Sequence, residues 1–359
     1  MAGVSLGFLW LAGIRDLQWR RRRFVIAVFG TALVFALTIL LSGFLESFSL
    51  EVNRTLSSVG AQGYVVPEGR KGPFTSPLPF AADTVDRVAQ VPGIRRADPL
   101  ISLLQVIDRD EEPDIYMIGH RVGERGALGV PRHAAGQAIS GPGEAVVDTA
   151  LGIDIGESFR IGEVALKVVG TVSGQTVLGG RPNVYLALQD AQAIVFRGLP
   201  AVTSIAVLGV PESLPPGLVY VSRDAAGDDL RRPLADVTKS IGLFRMLLWI
   251  VAGAIVGSVV YLSAIERVRD FAVFKATGTS TRDLLAALAM QAIVLSLVAS
   301  IVAVALAYLL APLFPAEVSF PAPLVAFLPI VAVAVGLLAS IAGLRRAVSV
   351  DPALAFGGR

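Results

Sequence analysis

Four stretches of the chain contain no Asp, Glu, Lys or Arg: 24–45, 246–265, 284–316 and 318–344. They are 22, 20, 33 and 27 residues long. A bilayer core of about 30 Å takes about 20 helical residues, so each stretch is long enough to span. Only Glu317 separates the last two, and Pro312, Pro315, Pro321 and Pro323 crowd that junction. Prolines there disfavour continued helix, so the pattern predicts a helical hairpin. The predicted spans are 24–45, 245–265, 284–311 and 325–344, with a short external loop at 312–324.

Between the first two spans the pattern changes. Segment 46–244 is too long for a structureless loop and suits one or two folded domains. Strands are expected at 63–66, 100–107, 114–119, 145–147, 158–161, 165–171, 184–188 and 204–210, where apolar runs end at glycines. Short helices are expected at 81–90, which ends at Pro92-Gly93, and at 190–196. The segment reads as an α/β first half and a β-rich second half, with 224–239 leading back to the membrane. The fold class expected is an α+β integral membrane protein, with four transmembrane helices and a large mixed α/β ectodomain between helices 1 and 2.

Composition agrees with this. Hydrophobic residues make up 54% of the 359 and charged residues only 17%. A soluble surface needs more polar cover than that. The chain has no cysteine, which excludes disulfides, thiolate metal sites and cysteine nucleophiles. Its two histidines, His120 and His133, form no HExxH pair, which argues against a histidine-based zinc hydrolase.

The placement of charge gives the orientation. Twelve Lys and Arg flank the spans on one side. They are Arg15 and Arg20–Arg23 before span one, Arg267, Arg269, Lys275 and Arg282 between spans two and three, and Arg345, Arg346 and Arg359 after span four. The hairpin tip carries none. The positive-inside rule therefore places both termini and the 266–283 loop in the cytoplasm, and 46–244 outside. Segment 46–244 holds 18 basic and 23 acidic residues, so it is net acidic. Residues 1–23 suit an amphipathic segment at the cytoplasmic interface, and 345–359 a cytoplasmic tail. The long apolar run after Arg23 has no A-x-A site and reads as an uncleaved anchor.

Little in the ectodomain points to catalysis. Asp108, Asp110, Glu111, Glu112 and Asp114 lack the glycine and spacing of a calcium loop, and a solvated turn suits them better. His120 and His133 have no third ligand nearby in sequence and read as surface or strand-end residues. No G-x-S-x-G motif is present. The sites expected are therefore catalytic none and metal none.

The most informative segment is 266–283, ERVRDFAVFKATGTSTRD. Charged residues come first, then Phe271 and Phe274 at helical spacing. Gly278 is placed to end a short helix, and Ser280 to Asp283 fits a capping box. Such an amphipathic helix can dock into a partner's groove by its aromatic anchors. The basic residues equally suit a membrane-surface turn, and the residues alone leave both readings open. In span two, Gly253-x-x-x-Gly257 is either a close-packing face or a pair of ordinary membrane-helix glycines.

This loop resembles the E-R-x-[KR]-E-[FI]-x-x-[LF]-[KR]-A-x-G signature of FtsX-like and MacB-like permeases of type VII ABC transporters. The resemblance extends to the basic N-terminal segment, the large ectodomain before span two and the closing hairpin. It also takes in the VVDTALGIDIGESFRIGEVALKVVGTV segment and the Val350-Asp351-Pro352-Ala353 ending. Asp270 stands where the family usually has Glu. The resemblance implies a MacB-like periplasmic core in the ectodomain. It further implies that Glu266, Arg267, Arg269, Asp270, Phe271, Phe274, Lys275 and Gly278 form a coupling helix touching an ABC ATPase subunit.

The sequence has no G-x-x-x-x-G-K-[ST], so it cannot cradle nucleotide phosphates in a P-loop. No cofactor is expected on this chain; ATP and Mg belong to the partner. The implied function is a non-enzymatic permease subunit that transmits ATP-driven motion to its ectodomain and exports or extracts a hydrophobic, lipid-like or peptide cargo. The alternative is an FtsX-like transmembrane regulator that activates an external partner, such as a cell-wall hydrolase, and transports nothing. The length of the ectodomain favours the MacB side. The location implied is a bacterial inner membrane, as a multi-pass protein. Expected partners are the ATPase, a second copy of the permease, membrane lipid, and an external adaptor, lipoprotein or hydrolase; nucleic acid is not among them.

Overall fold

The computed structural model describes residues 21–75, 78–108, 113–131, 135–266, 280–313, 318–320 and 322–348. The described residues fall into two compact units. One combines those within Met1–Glu46 and Thr238–Arg359, and the other those within Ser47–Val237. Both passages of the chain between the units lie inside helices, α1 (Arg21–Val59) and, after Arg223–Arg231 (α4), α5 (Ala235–Glu266).

The first unit is helical. It takes the leading part of α1 and most of α5, with α6 (Thr281–Leu310) and α7 (Ala322–Val348). Three helical stretches among the described residues carry an apolar window long enough to cross a membrane: Phe24–Val59, Arg223–Glu266 and Leu285–Leu313. The helix α7 contributes a shorter apolar stretch, Val325–Leu338, so the expected count of four spans is not reached among the described residues. Pro323 sits in the first turn of α7, where the missing N–H costs nothing. Pro329 lies inside the same helix.

The core of this unit combines large side chains such as Phe35, Leu40 and Leu295 with rows of small ones repeating every three or four residues. On α5 the row is Ala252, Val256, Val260 and Ala264, and on α6 it includes Ala292, Ser296, Ala299, Ala303 and Ala307. Alanine at i, i+4 keeps one face of a helix thin, so backbones approach and gain dispersion contact without a hydrophobic driving force from water. A Cβ added at Gly336 of α7 would collide with Ser296 Oγ and lie 3.4 Å from Val256 Cγ1, so three helices converge there. Another at Gly43 would come 2.6 Å from the Ser319 carbonyl oxygen. Phe35 and Trp249 rings, 5.4 Å apart, and a Ser263–Gln291 hydrogen bond of 3.1 Å add lateral contacts.

The second unit is built on one sheet. In chain order its strands are β1 (Gly63–Pro67), β2 (Phe80–Ala81), β3 (Ile94–Val106), β4 (Asp114–His120), β5 (Ala135–Gly136), β6 (Glu144–Asp148), β7 (Ser158–Ile161), β8 (Val164–Val172), β9 (Thr176–Val177), β10 (Arg181–Ala187), β11 (Ala201–Val202), β12 (Ser204–Gly209) and β13 (Leu218–Ser222). The spatial order is β13-β1-β12-β3-β4-β10-β6-β8-β5. Strands β7 and β9 pair with β8 and β10, and β2 with β11 forms a separate small sheet. The β10–β4 and β6–β8 pairs are parallel.

This order corrects the expected division into an α/β half and a β-rich half. Strand β1 lies between β12 and β13, both from the end of the segment, so the two halves share one sheet. The physical reason is that β1 is buried on both faces and needs a partner on each edge. Along each central strand, alternate residues face opposite cores. Tyr64, Tyr116, Ile118, Val146, Tyr185 and Ala206 share one, with Val52, Leu56 and Val59 of α1 and Leu230 of α4. On the other, Val65, Ile205 and Val207 pack with Val85 and Val88 of α2 (Thr84–Ala89), and Met117, Val184 and Leu186 with Ala191 of α3 (Leu188–Phe196).

Candidate functional site

Of the expected coupling residues, Arg267, Arg269, Asp270, Phe271, Phe274, Lys275 and Gly278 lie outside the described residues. Glu266 is the last residue of α5 and is exposed. Asp110, Glu111, Glu112 and His133 also lie outside. Asp114 pairs with Arg181 at 3.4 Å, and no group of three or more His, Asp or Glu able to hold a metal occurs among the described residues.

Gly253 and Gly257 are placed together. Gly253 is buried and Gly257 half-buried on α5. With Trp249, Ala254, Ser258 and Tyr261 of α5, and Val335 and Leu338 of α7, they line a shallow, mostly apolar groove of about 680 Å³. The two missing side chains let a helix or an acyl chain approach the α5 backbone.

The second unit holds a different kind of site, at the end of α1. Its apolar face, Val52, Leu56 and Val59, packs into the sheet core. Its other face is polar and grips β9, the turns on either side of it and β10. The buried Glu51 carboxylate accepts a hydrogen bond from Thr176 Oγ1 at 2.9 Å and another from Gly179 N–H at 3.1 Å. Arg54 Nη1 donates to the Gly174 carbonyl at 3.3 Å. Ser58 Oγ accepts from Tyr185 O–H at 3.1 Å.

The turn being gripped is conformationally costly. Leu178 has φ +53°, followed by Gly179 at +89° and Gly180 at +94°. A leucine in the left-handed region crowds its Cβ against the backbone, and the two glycines let the chain continue there. Burial pushes the Glu51 carboxyl up from its ordinary range, against the bonds from Thr176, Gly179 and Gly180 and the charge of Arg54. Thr55 Oγ1 and Asn183 Oδ1 are buried here with no hydrogen-bond partner among the described residues. The end of α1 is thus held by apolar packing on one face and by polar pairs on the other.

A second polar anchor holds the Gly/Pro-rich loop after β1. Asp229 of α4 is fully buried and accepts from Phe74 N–H at 2.9 Å, Thr75 N–H at 3.1 Å and the Thr75 hydroxyl. Arg232 balances its charge at 3.5 Å. A side chain at Gly72 would collide with this carboxylate. The sequence reading singled out neither Glu51 nor Asp229. Each looks like an ordinary charge on a helix flank, and only the distant partner segments reveal the role.

Comparison with known proteins gives two matches along the chain. The FtsX-like permease C-terminal description matches residues 242–352, and the MacB-like periplasmic core domain matches residues 24–216. The uncharacterized ABC transporter permease Rv2563 of Mycobacterium tuberculosis (strain ATCC 25618 / H37Rv) is 45% identical over 347 residues, covering 97% of this chain and 99% of that protein. A second permease of the same strain, Rv0072, is 44% identical over 348 residues with the same coverage. Among solved structures, the periplasmic region of MacB from Actinobacillus actinomycetemcomitans is 11% identical with a TM-score of 0.31, covering 50% of this chain and 97% of that one. The extracellular domain of the transporter YknZ from Gram-positive bacteria is 13% identical, also at a TM-score of 0.31, covering 42% of this chain and 83% of that one.

Proposed function

The chain belongs to the ABC transporter permeases that join a MacB-like periplasmic core domain to an FtsX-like C-terminal region, and from that premise we propose that it is a mechanical transmission subunit. A separate ATPase closes on ATP and Mg. Its motion enters through a coupling helix in the 266–283 loop, the spans carry it, and the ectodomain changes shape outside the membrane to export or extract a hydrophobic, lipid-like or peptide cargo.

One observation carries this reading. The loop with the coupling signature falls inside the FtsX-like match, on a chain whose sequence has no P-loop. In this reading the chain has the topology expected from charge: spans at 24–45 and 245–265, a hairpin after them, the 46–244 ectodomain outside and both termini cytoplasmic. Apart from Arg245 at the edge of the second, no charged residue lies in those spans, which argues against an ion path through them.

The test is at the loop. Phe274→Asp and Lys275→Glu are expected to abolish co-purification of the ATPase while membrane insertion stays intact. Normal recovery of the complex from both variants would remove the coupling assignment. The regulatory alternative predicts a bound hydrolase and no cargo in the same preparation.

The groove over Gly253 and Gly257 supports pairing with a second copy of the permease. Because the chain has no cysteine, Ala254→Cys gives a clean reporter. Oxidation in membranes is expected to yield a covalent dimer. A control at Ile301, exposed on α6, should not cross-link.

A further inference from the structure

The second span opens on a charge that the fold does not neutralise. Arg245 is the first residue of the expected 245–265 span and is half-buried on α5. Its Nη1 donates to Ser42 Oγ of α1 at 3.4 Å. That hydroxyl gives its own proton to the Thr38 carbonyl at 2.7 Å, so it offers Arg245 a lone pair and no charge. Arg245 makes no other hydrogen bond and no ion pair among the described residues. Glu46, one turn beyond Ser42 on α1, is exposed and forms no ion pair with it. A guanidinium has five N–H donors, so four face something outside the chain.

The surface around this charge is apolar. Leu243, Phe244, Met246 and Leu247, on either side of it in sequence, are each more than half exposed. Four residues on, about 6 Å further along the helix, the Trp249 ring packs on Phe35 of α1. A cation ringed by exposed apolar side chains at the end of a span lies where headgroups meet acyl chains. A soluble anion would match the charge alone, whereas an amphiphile matches both the charge and its apolar surround. A zwitterionic headgroup brings its own cation to the phosphate. A headgroup with a net negative charge leaves the guanidinium as the counterion.

We propose that Arg245 holds the phosphate of an anionic phospholipid at the outer end of the contact between α1 and α5. The Ser42 bond steadies the guanidinium against α1, and the acyl chains lie on the exposed apolar side chains beside it. The proposal rests on the spans and orientation given above and not on the transmission mechanism.

The test uses the full chain and its own fluorescence. The chain has three tryptophans, so Trp10→Phe and Trp19→Phe leave Trp249 as the single indole, one turn from Arg245. This chain is reconstituted in vesicles of equal parts phosphatidylglycerol and phosphatidylcholine, with one or the other brominated in its acyl chains. Bromine quenches an indole that it touches. Quenching by the brominated phosphatidylglycerol is expected to correspond to an enrichment of about fivefold over phosphatidylcholine, the effect of one basic residue at a membrane surface. Arg245→Gln should bring the two lipids to parity. Arg245→Lys, which keeps the charge and loses the planar fork, should retain part of the preference. Equal quenching by the two lipids with Arg245 in place, or an unchanged preference in Arg245→Gln, would overturn the proposal and leave Arg245 a side chain reaching for water. Loss of the preference when inorganic phosphate is added at the lipid's own concentration would also overturn it, in favour of a soluble anion. No quenching by either lipid would take this end of α5 out of the bilayer, and the topology reading would fall with the proposal.

Discussion

The two units are held together by opposite means. The helical unit relies on the absence of side chains: rows of alanine and the glycines at 43 and 336 let helices touch. The 47–237 unit relies on buried side chains that bind specific backbone groups, as Asp229 and Glu51 do. The contrast follows from the solvents the two units face. In lipid an apolar surface gains nothing from burial, so close fit has to supply the attraction. In water the sheet hides its apolar faces, and polar residues then decide which loops lie where. Mutations should therefore fail differently: enlargement should damage the first unit, and truncation the second.

The largest effect expected is from truncation. Asp229→Ala leaves Phe74 N–H and the two Thr75 donors without their acceptor, at least partly buried. Unsatisfied donors cost roughly 1–3 kcal/mol each, so a loss of about 3 kcal/mol is expected. Limited proteolysis should then cut the loop after β1 while the rest of the unit persists. Asp229→Asn, which keeps one acceptor, should restore part of the protection. If Asp229→Ala left the loop resistant, the polar-anchor account of this unit would fail.

Enlargement comes next. Gly336→Leu drives a branched side chain toward Ser296 and Val256, and overpacking costs about 1–3 kcal/mol. Thermal unfolding in detergent should show the drop. Gly257→Leu lies at the half-buried end of the groove, so it should cost the single chain less and act on dimer cross-linking instead. Equal destabilisation by both would mean that Gly257, like Gly336, packs within the chain.

These cases show what could be read from the residues. The charge gaps gave the apolar helices because lipid excludes charge over a fixed length. Ser158–Ile161 appears as a strand with the expected bounds because its alternation is local. The pairing of β1 with β13 was not readable, since the partner lies over 150 residues away and nothing local names it. Gly336 was passed over for the same reason: it has no Gly-x-x-x-Gly partner, and Ser296 is on another helix. His120 was read as a surface or strand-end residue. It does end β4, but the Gly129 turn and the strand β3 residue Leu100 close over it, and it is buried.

The smallest effects expected are titrations, and they separate two buried groups within the water-facing unit. Burial lowers the pKa of His120, although the Arg121 carbonyl and Asp98 oppose it. Below about pH 6.5 the unfolded chain then binds more protons than the folded one. Stability rises with pH through that window and is lost as pH falls. Burial raises the pKa of Glu51, so the folded chain holds the extra proton above pH 4.5. Its contribution is present in acid and is lost as pH rises through the folded value. Chemical denaturation across pH 4 to 8, approximate limits set by these two reference values, should show the opposed slopes. His120→Gln should remove the rising one and Glu51→Gln the falling one. Should Glu51→Gln leave its slope unchanged, the carboxylate is as well solvated in the fold as in the open chain. The α1 seat would then be an ordinary surface contact rather than a buried polar latch.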